Sequence, residues 1–289
     1  MKIHLVDGTY ELFRSHFGAP PKKAANGQEV GATLGLVRSL LMMLMSPGVT
    51  HVAVAFDHVI ESFRNDLYAG YKTGEGVDPD LLAQFPLAEE AVSALGAVVW
   101  SMVEFEADDA IATATARFKK NKSVEQVVIC SVDKDLTQMV EGQRVVCWDR
   151  RREIILDEKG VIEKFGVHPE SIPDYLALVG DSADGYPGIP GWGAKSTSTV
   201  LAKFKHIESI PKDPKKLPLG LGRATTLVEN LQQNYKDALL FRELSTLRDN
   251  VPLKENRKDL EWQGAYPRVR KLCQELGDSR IPERVTLWR

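Results

Sequence analysis

Nine acidic residues stand where apolar runs give way to turns, and they define the chemistry this chain can attempt. Asp7 closes the run IHLVD and Asp57 closes VAVAFD, while Asp133 and Asp135 follow VVICS directly, in SVDKD. Glu106, Asp108 and Asp109 open a helical pattern in FEADDA. Asp181 and Asp184, spaced i,i+3 in LVGDSADGYPG, point the same way in a helical turn. Taken singly, each has an ordinary structural use as a turn residue, an N-cap or a partner of the helix dipole. Taken together, the first seven would gather at one rim, repel one another and raise their own pKa values. Cations placed among them would remove that repulsion, and an all-oxygen ligand set selects Mg²⁺ or Mn²⁺ over zinc. Asp181 and Asp184 would complete a second cation site. Two ions roughly 4 Å apart stabilise both the attacking and the leaving oxygen of a phosphate, and one of them can turn a bound water into hydroxide. No Ser/His/Asp or Cys/His pairing adjoins these acids, so a covalent intermediate is not favoured.

Such a rim requires a particular scaffold. Ile3–Asp7, Val52–Asp57, Val127–Ser131 and Arg144–Trp148 are short, rich in Val or Ile and mostly continuously apolar. That pattern suits strands of a parallel sheet covered on both faces, whose carboxyl ends bind ligands. Helical periodicity spans Val30–Met45, Leu81–Leu95 and Ala107–Lys119, and the alternation implies an α/β fold with right-handed crossovers. Beyond about residue 165 the strands stop. Helices are expected at Ile172–Val179, Ala194–Phe204 and Gln232–Leu247, with Pro211–Pro218 as a loop. The expected division is an α/β part over 1–165 and a helical part over 166–289.

Composition narrows the class. No run of eighteen apolar residues occurs, so a membrane span is not expected, and the start MKIHLVDGTY has no export signature. Cys130, Cys147 and Cys273 are odd in number and widely spaced, which argues against a disulfide framework or a zinc site and fits a reducing cytoplasm. The six histidines form no ligand pair. The net charge of −3 runs against a nucleic-acid binder, but acids gathered at a metal site would account for part of it.

A glycine-rich loop, Gly188-Ile-Pro-Gly191-Trp-Gly193-Ala-Lys195, lies between two expected helices. Gly188 and Gly193 have Walker A spacing, but Ala194 stands where the lysine belongs and no strand precedes the loop, so a P-loop is disfavoured. A helix–hairpin–helix element fits better: glycines admit a phosphate to backbone N–H groups, and the next helix presents its N-terminus with Lys195 in the first turn. A plain tight turn is the alternative.

Five segments in order, LVDGTYELFRSHF, VAFDHVIESFRNDLYAGYKTG, EFEADDAIA, SVDKDLTQMV and YLALVGDSADGYPGIPGWGAK, resemble the 5′-nuclease family of flap endonucleases and the 5′→3′ exonuclease domain of bacterial DNA polymerase I. The resemblance runs from Leu5 to Phe204 and more loosely to the C-terminus. It implies a PIN/resolvase-like fold, a helical arch over about 58–90 and a DNA-binding C-terminal part. It also implies that Asp7, Asp57, Glu106, Asp108, Asp109, Asp133, Asp135, Asp181 and Asp184 are the metal-site acids, with none missing. Arg14 and Lys72 match basic residues beside the scissile phosphate, although a structural ion pair is an ordinary use of Arg14. Arg64, Tyr71, Gly188, Gly191, Gly193 and Lys195 are the expected DNA contacts. The family's hairpin often holds K⁺ through backbone carbonyls. The implied partner is duplex DNA with a 5′ flap, nick or 5′ end, and the implied state is a cytoplasmic monomer. Two departures stand out. Glu75 occupies the arginine position of Y-K-x-x-R, in a segment His58–Glu90 that holds Arg64 and Lys72 against seven acids. Gly185 replaces a usual asparagine.

Three rivals remain: a relative that binds branched DNA and cuts poorly, an aspartate-nucleophile phosphatase, and a single-strand ribonuclease on an acidic-rim α/β fold. The phosphatase needs D-x-D at the first strand, where this chain reads Asp7-Gly8-Thr9. The hairpin favours duplex DNA over the ribonuclease.

Overall fold

In a computed structural model, residues 1–18 and 20–289 are described. The chain forms two compact units. One comprises Met1–Ile60, Gly74–Ser131 and Asp249–Arg289; the other comprises Glu61–Thr73 and Val132–Arg248.

The first unit is built on β1 (Lys2–Asp7), β2 (His51–Asp57), β3 (Val98–Met102) and β4 (Gln126–Cys130), all parallel, in the order β3-β2-β1-β4. Three of these match the expected strands to within a residue. β3 went unread because VVWSM mixes polar with apolar residues and is only partly buried. Register sets the chemistry: Asp7 lies opposite Ala55 and Val6 opposite Cys130, so Asp7, Asp57 and Ser131 emerge at the same carboxyl edge. Helix Ala107–Phe118 packs on this sheet through Ala110, Ile111 and Ala114, all fully buried. The small residues of ADDAIATATA let its backbone lie close to the strands, as dense core packing requires. Helix Gly31–Leu44 matches the expected span. The run Leu81–Leu95 divides into Pro79–Leu82 and Phe85–Ala94, because Pro86 fits a first helical turn and not an interior. Helix Gly8–Gly18 follows β1 with no connecting loop.

The second unit holds an antiparallel pair, β5 (Val145–Asp149) and β6 (Ile154–Leu156), and a helical array. Helices Ile172–Val179 and Ala194–Phe204 fall where the periodicity placed them. The expected Gln232–Leu247 helix is instead Leu221–Gln233 followed by Tyr235–Ser245, broken at Asn234. Leu176, Leu178, Val200, Leu201 and Leu244 are buried and form its core. Among the described residues, no helix is long and apolar enough to cross a membrane.

Candidate metal centre

In the first unit, three of the expected acids accept backbone N–H groups. Asp7 accepts the N–H of Tyr10 at 2.8 Å and the hydroxyl of Ser131 at 2.8 Å. Asp57 accepts the N–H of Ala107 at 2.8 Å, joining the end of β2 to the N-terminus of the helix that starts there, and its own N–H donates to Thr9. Asp109, fully buried, accepts the N–H of Glu106 at 3.0 Å. Glu106 is buried and Asp108 half-buried in the same turn. Backbone N–H groups at the strand ends and helix start thus point their partial positive charge at Asp7, Asp57 and Asp109.

In the second unit, Asp135, Asp181 and Asp184 each bring a carboxylate oxygen to within 4.8 Å of the others. Asp135 opens a short 3₁₀ helix, Asp135–Met139, and its N–H donates to Asp133 at 2.8 Å. Asp181 follows Gly180, which ends helix Ile172–Val179 at φ +89°. Reciprocal backbone hydrogen bonds with Tyr186, 2.9 and 3.1 Å, close the 181–186 turn and bring Asp184 back toward Asp181. One oxygen of Asp135 is buried with no hydrogen-bond partner. Burial first, then the charges of Asp133, Asp184 and Asp181, raise its carboxyl well above the usual range, with Lys72 opposing. The phenol of Tyr186, buried and stacked on Phe241 at 5.4 Å, is pushed up by burial and by the same three acids, Asp135, Asp184 and Asp181.

Two lysines answer this charge. Lys72 Nζ lies 3.3 Å from Asp184 and Lys134 Nζ 2.6 Å from Asp181. Lys134 is the residue that sequence reasoning missed. Its signal was present, as the only cation inside SVDKD, but a lysine flanked by aspartates reads as an ordinary surface pair. Lys72 is positioned from its backbone, whose N–H donates to the carbonyl of Asp184 at 3.0 Å. That approach explains Gly185. It sits at φ +88°, and a Cβ there would lie 2.2 Å from the carbonyl oxygen of Gly70. A side chain at 185 would push the 70–72 segment off the turn.

Other expected site residues are placed differently. Arg64, expected at the nucleic acid, is 1% exposed. Its guanidinium donates to the carbonyls of Leu244 and Thr246 at 2.7 and 3.2 Å, satisfying the C-terminus of helix Tyr235–Ser245. Tyr71, also expected at DNA, is buried at 3% exposure. Both side chains lie in the interior. Arg14 pairs with the buried Glu11 and donates to Ser39 at 3.0 Å. In the hairpin, Gly188 at φ +73° passes so close to Gly180 that a Cβ would meet its nitrogen at 2.4 Å. Gly191, at φ +82°, and Gly193 are exposed, and Gly193 caps helix Ala194–Phe204, where Lys195 is exposed in the first turn. Trp192 is buried, and its indole N–H donates to the carbonyl of Leu227.

Comparison with known proteins matches two consecutive stretches of the chain. Residues 2–166 match the 5′-3′ exonuclease N-terminal resolvase-like domain, and residues 167–268 match the 5′-3′ exonuclease C-terminal SAM fold. A 5′-3′ exonuclease of Aquifex aeolicus is 34% identical over 259 residues, covering 89% of this chain and 88% of that one. DNA polymerase I of Bacillus caldotenax is 31% identical over 98% of this chain, which spans 32% of that protein's length. Among solved structures, the T5 5′-exonuclease with bound divalent zinc ions superposes with a TM-score of 0.67 at 17% identity, covering 98% and 97% of the two chains. The catalytic core of Rad2 in complex with DNA substrate gives 0.61 at 12% identity, covering 98% and 91%. At these identities the structural likeness speaks to the fold.

Proposed function

Because the chain belongs to the 5′-3′ exonuclease family, we infer that it is a divalent-metal-dependent 5′→3′ exonuclease and flap endonuclease. It hydrolyses DNA phosphodiester bonds near 5′ ends or junctions, leaving a 5′-phosphate and a 3′-hydroxyl. The observation that carries this reading is the triad Asp135, Asp181 and Asp184, with oxygens within 4.8 Å and one buried Asp135 oxygen lacking a hydrogen bond. An all-carboxylate set fits Mg²⁺ or Mn²⁺, and an orphaned buried acceptor is what a ligand atom without its ion looks like. The triad, with Asp133 beside it, would hold one ion. Asp7, Asp57, Glu106, Asp108 and Asp109 are assigned to the other. When bound, such ions polarise the phosphate and lower the pKa of a coordinated water.

The chain's own groups complete the assignment. Lys72 and Arg14 are assigned to steady the phosphate. Gly191, Gly193 and Lys195 are assigned to grip the duplex backbone at the start of helix Ala194–Phe204, where N–H groups and the helix dipole favour an anion. K⁺ is assigned to the hairpin carbonyls. The three cysteines are free and buried, which suits a reducing compartment. A bacteriophage T5 flap endonuclease has been captured with DNA and metal ions, and Rad2 with DNA substrate. The same class of partner is assigned here.

One observation favours a second reading, a protein that holds branched DNA and cuts it poorly. The His58–Glu90 segment has seven acids, and Arg64, one of its two fixed cations, is committed to the interior. Strand affinity follows phosphate neutralisation. Cleavage of a labelled 5′-flap duplex with Mg²⁺, read at nucleotide resolution, decides between them. The nuclease yields discrete products near the junction that vanish with EDTA. Binding without products supports the second reading, and full cleavage in metal-free buffer refutes the mechanism.

A further inference from the structure

Lys134 stands between Asp133 and Asp135 in sequence and reaches across to Asp181, 2.6 Å from its carboxylate. The triad oxygens lie within 4.8 Å of one another, close enough to share a single cation, and one Asp135 oxygen is buried without a hydrogen bond. The ammonium therefore neutralises a carboxylate that a metal ion would need as a ligand. An ammonium carries one charge and three donors but accepts no ligand, so it cannot share an oxygen lone pair with a metal at the same position. Asp181 is 3% exposed, whereas the lysine side chain is 37% exposed and so borders solvent. Lys72 lies farther from its carboxylate, with Nζ 3.3 Å from Asp184.

We propose that Lys134 is a displaceable counter-ion of the triad: it holds the acids together without metal and must leave Asp181 for a divalent cation to bind. Lys134 is thus a positioning residue that sets metal affinity. This rests on the metal reading given under Proposed function. Two opposite effects follow from removing it. The metal-free protein loses the charge that offsets repulsion among Asp133, Asp135, Asp181 and Asp184. The metal-bound protein no longer displaces an ion pair, so the cation binds more tightly.

The test is calorimetric titration of metal-stripped full-length protein with Mn²⁺, alongside thermal unfolding with and without Mn²⁺. An Asp135→Asn variant identifies which heat belongs to the triad. In Lys134→Met and Lys134→Gln, the triad Kd is expected to fall about three- to tenfold, the range of a partly exposed ion pair. The Tm without ion should fall, and the rise on adding Mn²⁺ should be larger than in wild type. Lys134→Arg, which keeps the charge, should bind as wild type does. An unchanged or weaker Kd in both neutral variants overturns the proposal while leaving the metal reading intact. If wild type shows no Mn²⁺ binding that Asp135→Asn removes, the metal reading fails and this inference with it.

Discussion

The two groups of acids are neutralised by different means. In the first unit, backbone N–H groups and a serine hydroxyl hold Asp7, Asp57 and Asp109. In the second, lysine ammoniums hold Asp181 and Asp184, and one Asp135 oxygen is left without a hydrogen bond. The first arrangement is built into strand ends and a helix start, so those carboxylates serve the fold. The second is a cluster of like charges that, with burial, raises the Asp135 carboxyl, and a bound cation would relieve that repulsion.

Substitutions can break that contrast. The largest effect is expected from Asp135→Asn, which should lower flap cleavage at least about 100-fold by removing a metal ligand. In the same variant the metal-free Tm should hold or rise, since a buried charge among like charges disappears. A Tm loss as large as the activity loss would place Asp135 with the structural acids. Next is Gly185→Asn, which restores the residue the family usually carries. It should destabilise by about 2–3 kcal/mol in thermal unfolding, because the added Cβ meets the Gly70 carbonyl. A neutral result would mean that the 70–72 segment can retreat.

In the first unit, Asp109→Ala should cost about 1–2 kcal/mol with or without metal, by leaving the Glu106 N–H unpaired. A stability loss that appears only with metal would place Asp109 with the second group. The smallest effect sharpens the comparison with a carboxylate no metal would contest. Burial pushes the Asp278 carboxyl up, but the hydrogen bonds from Arg38 and from the Arg280 N–H outweigh it and hold it below the usual value. A depressed folded pKa contributes stability above the unfolded value of about 3.9, and that contribution is lost as pH falls through the folded value. Asp278→Asn should therefore cost about 1 kcal/mol at pH 7 and converge with wild type in acid. Denaturant titrations at the two pH values check this, and a gap that persists in acid would contradict it.

Strand-ending acids and helix starts were legible because they depend on local sequence: a Val/Ile run stops at an Asp, and ADDA opens a helix. Asp181 and Asp184 could be read for the same reason, from i,i+3 spacing beside a Gly/Pro loop. The fates of Arg64 and Tyr71 were not legible. Whether an arginine faces solvent or caps a helix 180 positions away depends on tertiary closure, and FRNDLYAGYK has no periodicity that reports it. The role of Gly185 was hidden likewise. A glycine in a turn signals freedom of φ, but the carbonyl that forbids its side chain comes from Gly70. β3 was missed because VVWSM mixes polar with apolar residues, and β6 because its apolar run of 3 residues is too short to read as a strand.

The most direct measurement is anomalous scattering from crystals soaked in Mn²⁺. The expected result is a peak coordinated by oxygens of Asp135, Asp181 and Asp184, with the Lys134 ammonium moved off Asp181. No peak there at saturating Mn²⁺, with Lys134 still paired to Asp181, would contradict it.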